Sequence, residues 1–208
     1  MLRIDEKQTI LFMGDSITDC GRSRENPAEL GNGYANMIAS RLNTDMPELN
    51  LNFLNFGISA HRVKDLKSRW QEDCLNHNPD ILSIMIGIND VWRRFDSSDP
   101  TTAEAFLNDY REIIEAVKKN NECQVIMIEP FVLPVSEDRK NWREDLDPKI
   151  KGIRELALEF ADAYVPMDGI YAAAAIRREP AFWAADGVHP SQAGHMLIAD
   201  SWLEQAGI

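Results

Sequence analysis

Residues 9–19 read TILFMGDSITD. An apolar run from Ile10 to Met13, closed by Gly14, has the length and composition of a short buried strand, and the Gly-Asp-Ser that follows ends it. The same alternation continues outward. Over 33–46, Tyr34, Met37, Ile38, Leu42 and Met46 fall on one helix face; 49–56 is strand-like; over 62–75, Val63, Leu66, Trp70 and Cys74 recur at helical spacing; and 80–86 is a third strand. In the next helix Ala103, Phe106, Leu107, Tyr110, Ile113, Ile114 and Val117 are in phase behind a Thr101/Glu104 capping box. A fourth strand at 124–128, a helix over 147–160, a brief strand at 163–165 and a closing helix over 191–203, capped by Ser191, complete the pattern. Strands alternating with helices imply a parallel sheet covered on both faces, an α/β three-layer sandwich. Three stretches, 91–100, 131–145 and 168–188, show no clear period and are read as irregular loops of the kind that carry function.

The 208 residues suit one core, so 1–208 is expected to form one domain. Hydrophobic residues are 44% and charged residues 27%, which excludes disordered, collagenous and disulfide-scaffold classes. With 22 Lys and Arg against 34 Asp and Glu, the formal charge of −12 repels phosphate backbones and anionic lipid, so neither nucleic acid nor membrane is expected as a partner. The apolar run at 10–13 is too short for a signal-peptide core, and a cytoplasmic location is the expectation. Cys20, Cys74 and Cys123 are odd in number and lack metal-ligand spacing, and read as reduced thiols.

Open α/β sheets bind ligands beyond the carboxyl ends of their strands. Those ends carry Gly14-Asp15-Ser16, Asn55-Phe56-Gly57-Ile58-Ser59, Gly87-Ile88-Asn89-Asp90 and, near the C-terminus, Asp186-Gly187-Val188-His189. Each supplies a different catalytic part. A serine nucleophile needs a base of near-neutral pKa, which His189 offers; the imidazole needs an acceptor to fix its tautomer, which Asp186 can supply from three residues away. The oxyanion that develops on an attacked carbonyl needs donors, for which the backbone N–H groups of Ser16 and Gly57 and the Asn89 amide are candidates. Asp15, Asp19 and Asp90 read as loop-holding acceptors. His61 and His77 read as solvated, and His195 as a surface or partly packed residue. A metallophosphoesterase would need a histidine-rich ligand set that these blocks lack, so no metal and no cofactor are expected. The elbow G-x-S-x-G of the common α/β-hydrolases is also absent. Trp92, Trp142 and Trp183 fall in the irregular stretches and are candidates for a flat wall at the site, whereas Trp70 and Trp202 fall in helix patterns as core.

The four blocks resemble those of the SGNH hydrolase superfamily, the GDSL-like esterases, with Ser16, Gly57, Asn89 and His189 at the four named positions and Ile17 where the family name has leucine. The strings ILFMGDSITDCGR (10–22), GISAHRVKDLKSRW (57–70), SIMIGINDVWR (83–93) and DGVHPSQAGHMLIA (186–199) are similar to the intracellular acetylxylan esterases of that superfamily. The resemblance implies a flavodoxin-like sheet of order 2-1-3-4-5. It also implies a catalytic Ser16, Asp186 and His189 with an oxyanion hole of Ser16, Gly57 and Asn89, and a substrate that is a small-molecule or oligosaccharide ester carrying short acyl, chiefly acetyl, groups. A lysophospholipase, a thioesterase or a non-catalytic carbohydrate-binding module are the alternatives. Whether the chain is a homo-oligomer is left open. In the 2-1-3-4-5 order strand five lies three places from strand one, so 168–188 must cross back over the strand ends to bring His189 to Ser16.

Overall fold

The computed structural model describes residues 2–120 and 122–208. In chain order its elements are β1 (Thr9–Gly14), α1 (Ser16–Asp19), α2 (Tyr34–Asp45), β2 (Asn52–Asn55), α3 (Val63–Ser68), α4 (Trp70–Asp73), β3 (Ile81–Met85), α5 (Ile88–Asp96), α6 (Ala103–Asn120), β4 (Gln124–Ile128), α7 (Glu137–Asn141), α8 (Arg143–Phe160), β5 (Ala163–Val165), α9 (Met167–Arg177), α10 (Pro180–Trp183) and α11 (Gln192–Ala206). The strands pair in parallel in the order β2-β1-β3-β4-β5, the order that the resemblance implies.

Side chains alternate across a strand, and β1 divides the core accordingly. Ile10 and Phe12 face one layer with Tyr34 and Ile38 of α2 and Trp202 of α11. Leu11 and Met13 face the other, with Val63 and Leu66 of α3, Phe106 and Tyr110 of α6 and Ile153 of α8. Because both faces of β1 and β3 are covered, these strands read as unbroken apolar runs rather than alternating ones. One buried polar contact ties the first layer to the sheet: the Trp202 indole N–H donates to Ser83 Oγ at 3.0 Å, with both residues inaccessible to solvent.

The structure departs from the sequence reading in the stretches taken as irregular. Residues 88–96 form α5, 137–141 form α7, and 168–188 contain most of α9 and all of α10. Helix α5 carries a single short stripe, Ile88, Val91, Trp92 and Phe95, which spans the boundary of the stretch read as irregular, whereas α7 buries nothing and α9, which buries Met167, Tyr171 and Ala174, is apolar around most of its circumference so that no stripe stands out. The 62–75 helix is broken at Arg69 into α3 and α4. The cap of α6 is Thr102, whose Oγ1 accepts from Ala105 N at 3.1 Å, rather than Thr101. Trp70 and Trp202 are core as expected.

Replacing Ser83 by alanine leaves the Trp202 N–H buried without an acceptor, which costs about 1–3 kcal/mol. Urea denaturation of Ser83→Ala is expected to show a lower midpoint with an unchanged slope; an unchanged midpoint contradicts this account of the contact.

Candidate active site

The chain leaves β1 through Gly14, where a Cβ would lie 2.2 Å from Thr18 Oγ1 and 2.5 Å from Met85 O. Only glycine allows this close passage between β3 and α1. Asp15 then caps α1, its Oδ1 accepting from Ile17 N at 3.0 Å. Ser16 is the first residue of the helix, so its N–H has no intrahelical partner. Its Oγ lies 2.9 Å from His189 Nε2.

His189 arrives on a turn that Asp186 closes by itself. One carboxylate oxygen accepts from the backbone N–H groups of Val188 and His189 at 2.9 and 2.8 Å, and the other meets His189 Nδ1 at 2.7 Å. The spacing of three residues follows from this geometry, because a single carboxylate must reach both the backbone and the ring. Burial works against the charge on Asp186, but the bonds from His189 and Val188 outweigh it and hold the carboxyl well below its ordinary range. An ionised Asp186 is acceptor only, so Nδ1 carries the proton and Nε2 presents its lone pair to Ser16. The hydrogen bond to Asp186 raises the His189 pKa, with burial opposing it. Because β5 is the edge strand and His189 nonetheless meets Ser16 at the end of β1, the residues before the turn travel back across the sheet, and Ala184 pairs with Pro190 to close the loop.

Asn89 sits in the first turn of α5 and is 3% exposed. Its amide donates to His61 O at 3.1 Å, which uses one of its two hydrogens and orients the other. The neighbouring Asp90 accepts from Val63 N at 3.1 Å, so consecutive residues of α5 hold the segment 61–63.

Gly57 is the correction. Its N–H donates to Asn55 Oδ1 at 2.9 Å, and its carbonyl accepts from Arg22 Nε at 2.7 Å and Arg24 Nη1 at 3.0 Å. A Cβ there would lie 2.3 Å from Asp19 N and 2.7 Å from Thr18 C. Gly57 is therefore the point at which the β2 loop packs onto the backbone of α1, and its N–H is spent. One residue on, Ile58 O accepts from His61 N at 3.2 Å across a turn whose third residue, Ala60, has φ +69°. This is a turn position that ordinarily takes glycine. Ser59, on one side of Ala60, is held through its N–H and hydroxyl by Asp19 Oδ2, at 3.0 and 2.7 Å. His61, on the other side, is held by Asn89. The exposed Ala60 N–H has no hydrogen-bond partner among the described residues. Sequence reasoning missed Ala60 because alanine gives no sign of a left-handed backbone.

Of the three candidate tryptophans, Trp92 on α5 borders the site, its ring 5.8 Å from that of His189. Trp142 lies behind it, 5.2 Å away and buried. The Trp183 indole N–H is turned to Ala174 O and Arg178 O. His195 is buried rather than at the surface. Its Nδ1 accepts from Tyr34 N at 3.2 Å, and burial pushes its pKa down to about 4. With Nδ1 as acceptor, Nε2 carries the proton and faces Cys20 Sγ at 3.4 Å, so His195 cannot serve that thiol as a base. His61 is half-buried and accepts from Arg69 Nε at Nδ1, whereas His77 is exposed and lies against Phe56. Among the described residues no group of three or more His, Cys, Asp or Glu could hold a metal ion, and no helix is long and apolar enough to cross a membrane.

The GDSL-like Lipase/Acylhydrolase family model matches residues 12–197. An acetylxylan esterase of Geobacillus stearothermophilus is 35% identical, over 99% of this chain and 97% of its own. A solved point mutant of Axe2, an acetyl-xylooligosaccharide esterase from the same genus, superposes with a TM-score of 0.93 at 34% identity, covering 100% of this chain and 97% of that one. A catalytic mutant of the Geobacillus stearothermophilus enzyme in which a serine is replaced by alanine superposes with a TM-score of 0.92 at 33% identity and the same coverage.

The two glycine-like positions of the β2 loop should respond in opposite ways. Gly57→Ala forces a methyl into backbone atoms of α1 and is expected to destabilise by about 1–3 kcal/mol. Ala60→Gly removes left-handed strain of about 1–2 kcal/mol, partly offset by a freer unfolded chain, and is expected to match or exceed wild-type stability by up to about 1 kcal/mol with kcat retained. Thermal melts beside an ester assay read both; a destabilised Ala60→Gly contradicts the turn as described.

Proposed function

The chain belongs to the GDSL-like lipase/acylhydrolase family, and from that premise we propose that 1–208 acts as one serine esterase domain removing acetyl groups from acetylated xylo-oligosaccharides. The observation that carries this reading is the continuous relay from Ser16 Oγ through His189 to Asp186, at 2.9 and 2.7 Å. The acetyl and xylo-oligosaccharide terms come from the relatives' activity.

In the proposed cycle Ser16 Oγ attacks the ester carbonyl while its proton passes to His189 Nε2. The imidazolium so formed is stabilised by the Asp186 carboxylate. The carbonyl oxygen, now negative, is held by the Ser16 N–H, the second Asn89 amide hydrogen and the Ala60 N–H, which takes the part first assigned to Gly57. His189 returns the proton to the departing sugar hydroxyl, leaving an acyl-Ser16. Water then attacks this ester, giving its proton to His189, which passes it to Ser16 Oγ as the acyl–oxygen bond breaks, releasing Ser16 and a carboxylic acid product. Trp92 offers the sugar ring an apolar face beside His189.

The test is a substrate series with wild type and Ser16→Ala. Acetylated xylo-oligosaccharides are expected to be turned over faster than octanoyl or phospholipid esters, and Ser16→Ala to retain under about 10⁻³ of kcat. A preference for long acyl chains moves the reading to a lysophospholipase. Asn89→Ala should lower kcat by about 10²–10³ with KM little changed.

The pH dependence follows from the direction of the His189 shift. The base works as neutral imidazole, so kcat/KM rises with pH through the His189 pKa, which Asp186 places above the ordinary value of ~6.5. Asp186→Asn removes that charge and should move the limb to lower pH while reducing kcat; a limb at wild-type position would separate Asp186 from the titrating group.

A further inference from the structure

The turn that carries Asp186 and His189 is gripped from outside by a residue of α7. Arg139 Nε donates to Asp186 O at 2.9 Å. The guanidinium carbon lies 4.0 Å from the Trp142 ring centroid and 4.9 Å from that of Trp92, in the notch between the two indoles. Its Nη1 pairs with Asp138. The side chain is 15% exposed, and with both indoles and two acceptors engaged it has little rotational freedom left. Next to the gripped carbonyl is Gly187 at φ +84°, where a Cβ would lie 2.6 Å from Leu133 O and 3.3 Å from Arg139 Cγ. Gly187 O in turn accepts from Leu133 N at 2.8 Å. The turn is thus fixed at two successive carbonyls, one by the strand-four loop and one by Arg139. Trp92, which Arg139 supports from behind, is also the ring that borders His189.

We propose that Arg139 is a positioning residue for the esterase reaction, setting the Asp186–His189 turn through one hydrogen bond that its cation–π seat between Trp142 and Trp92 holds in place. The proposal rests on the assignment of Ser16, His189 and Asp186 made above. An arginine suits the role because its planar fork can donate along its edge to a carbonyl while its faces lie on aromatic rings; lysine can supply the charge but not both contacts at once. Displacing a general base by a fraction of an ångström lowers kcat without altering how substrate binds, which separates this role from substrate recognition.

The charge of Arg139 also faces His189. The other titratable groups around that ring are Asp186 on its own turn, Asp15 at the head of α1 and His195 on α11; Asp186 and Asp15 favour the imidazolium, Arg139 opposes it, and His195, pushed down to about 4, is neutral where His189 titrates. Removing Arg139 therefore raises the His189 pKa.

Arg139→Met keeps the stem and loses donor and charge. It is expected to lower kcat by about 10-fold or more with KM within about twofold of wild type, and to move the acid limb of kcat/KM to higher pH. Arg139→Lys keeps the charge without the paired geometry, so kcat should fall similarly while the limb stays near its wild-type position. Should Arg139→Met fail to fold, the lysine variant decides alone. Wild-type kcat in folded Arg139→Lys, or a folded Arg139→Met that loses melting temperature while keeping both kcat and limb, overturns the proposal. Labelling with a fluorophosphonate keeps the two levels apart. Wild type that does not label at Ser16, or labels as fast in His189→Ala, defeats the catalytic assignment itself; wild type that labels normally with Arg139→Met labelling at the same rate defeats only the role of Arg139.

Discussion

Parallel strands deliver all their carboxyl ends to one edge of the sheet, and three of the four parts of this site are placed directly by that constraint. With β1 at the inner position between β2 and β3, the three loops bearing Ser16, the 57–61 turn and Asn89 are neighbours before any side chain is chosen. His189 is different. It lies 173 residues from Ser16 in sequence and follows β5, at the far edge of the sheet. The energy that brings it back is not in the relay itself, since single hydrogen bonds contribute about 1 kcal/mol each. It comes from the apolar layer in which α9 and α11 bury Tyr171, Ile198 and Trp202 against the sheet. The relay then reports on packing already accomplished, and its distances are set by how rigidly the last turn is held.

That rigidity is assembled chiefly from side chains holding the backbone, with one partly buried ion pair, Arg24–Asp19, on the acid that holds Ser59. Asp19 grips the Ser59 N–H, Asn89 the His61 carbonyl, Asp90 the Val63 N–H, and the Asp186 carboxylate its own turn. In each case a short acidic or amide side chain satisfies a main-chain group that a loop would otherwise leave to water. Surface ion pairs are numerous, but exposed pairs such as Arg41–Asp45 contribute little and lie away from the strand ends.

The strands and the chemistry-bearing residues were legible because both are local signals. Buried parallel strands are short apolar runs, and Gly14-Asp15-Ser16 or Asp186 to His189 are compact motifs whose parts act on one another within a turn. What stayed hidden depends on non-local packing. Helices α7 and α9 lack an apolar stripe because solvent or short alanine side chains cover most of their surface. The choice between Gly57 and Ala60 could not be made from residue type, since glycine points to a close approach without saying which neighbour comes close. At Gly57 the neighbour is the α1 backbone, and the left-handed turn falls instead on an alanine held between two pinned residues. Arg139 gave no signal at all, because its worth lies in two tryptophans, 47 residues upstream and three downstream, meeting at one guanidinium.

Two carboxyl groups flank His189, and their surroundings drive them apart. Asp186 is held well below its ordinary range by three donors, so it favours folding above the unfolded pKa of ~3.9, and this contribution is lost as pH falls. Asp15 is fully buried, and desolvation raises its pKa to about 7 against the opposing bond from Ile17 N. Between about pH 4 and 7 the folded state therefore retains a proton that the unfolded chain has released, and stability from this group declines as pH rises across that window. The opposed slopes sort the roles. A carboxyl ionised throughout the working range can orient an imidazole and balance its charge, while one whose proton is retained up to neutrality serves as a helix cap that, below neutrality, adds little competing negative charge beside the ring. Of the two acids next to His189, the geometry gives the ring to Asp186 and the backbone of α1 to Asp15, and the electrostatics independently make the same division.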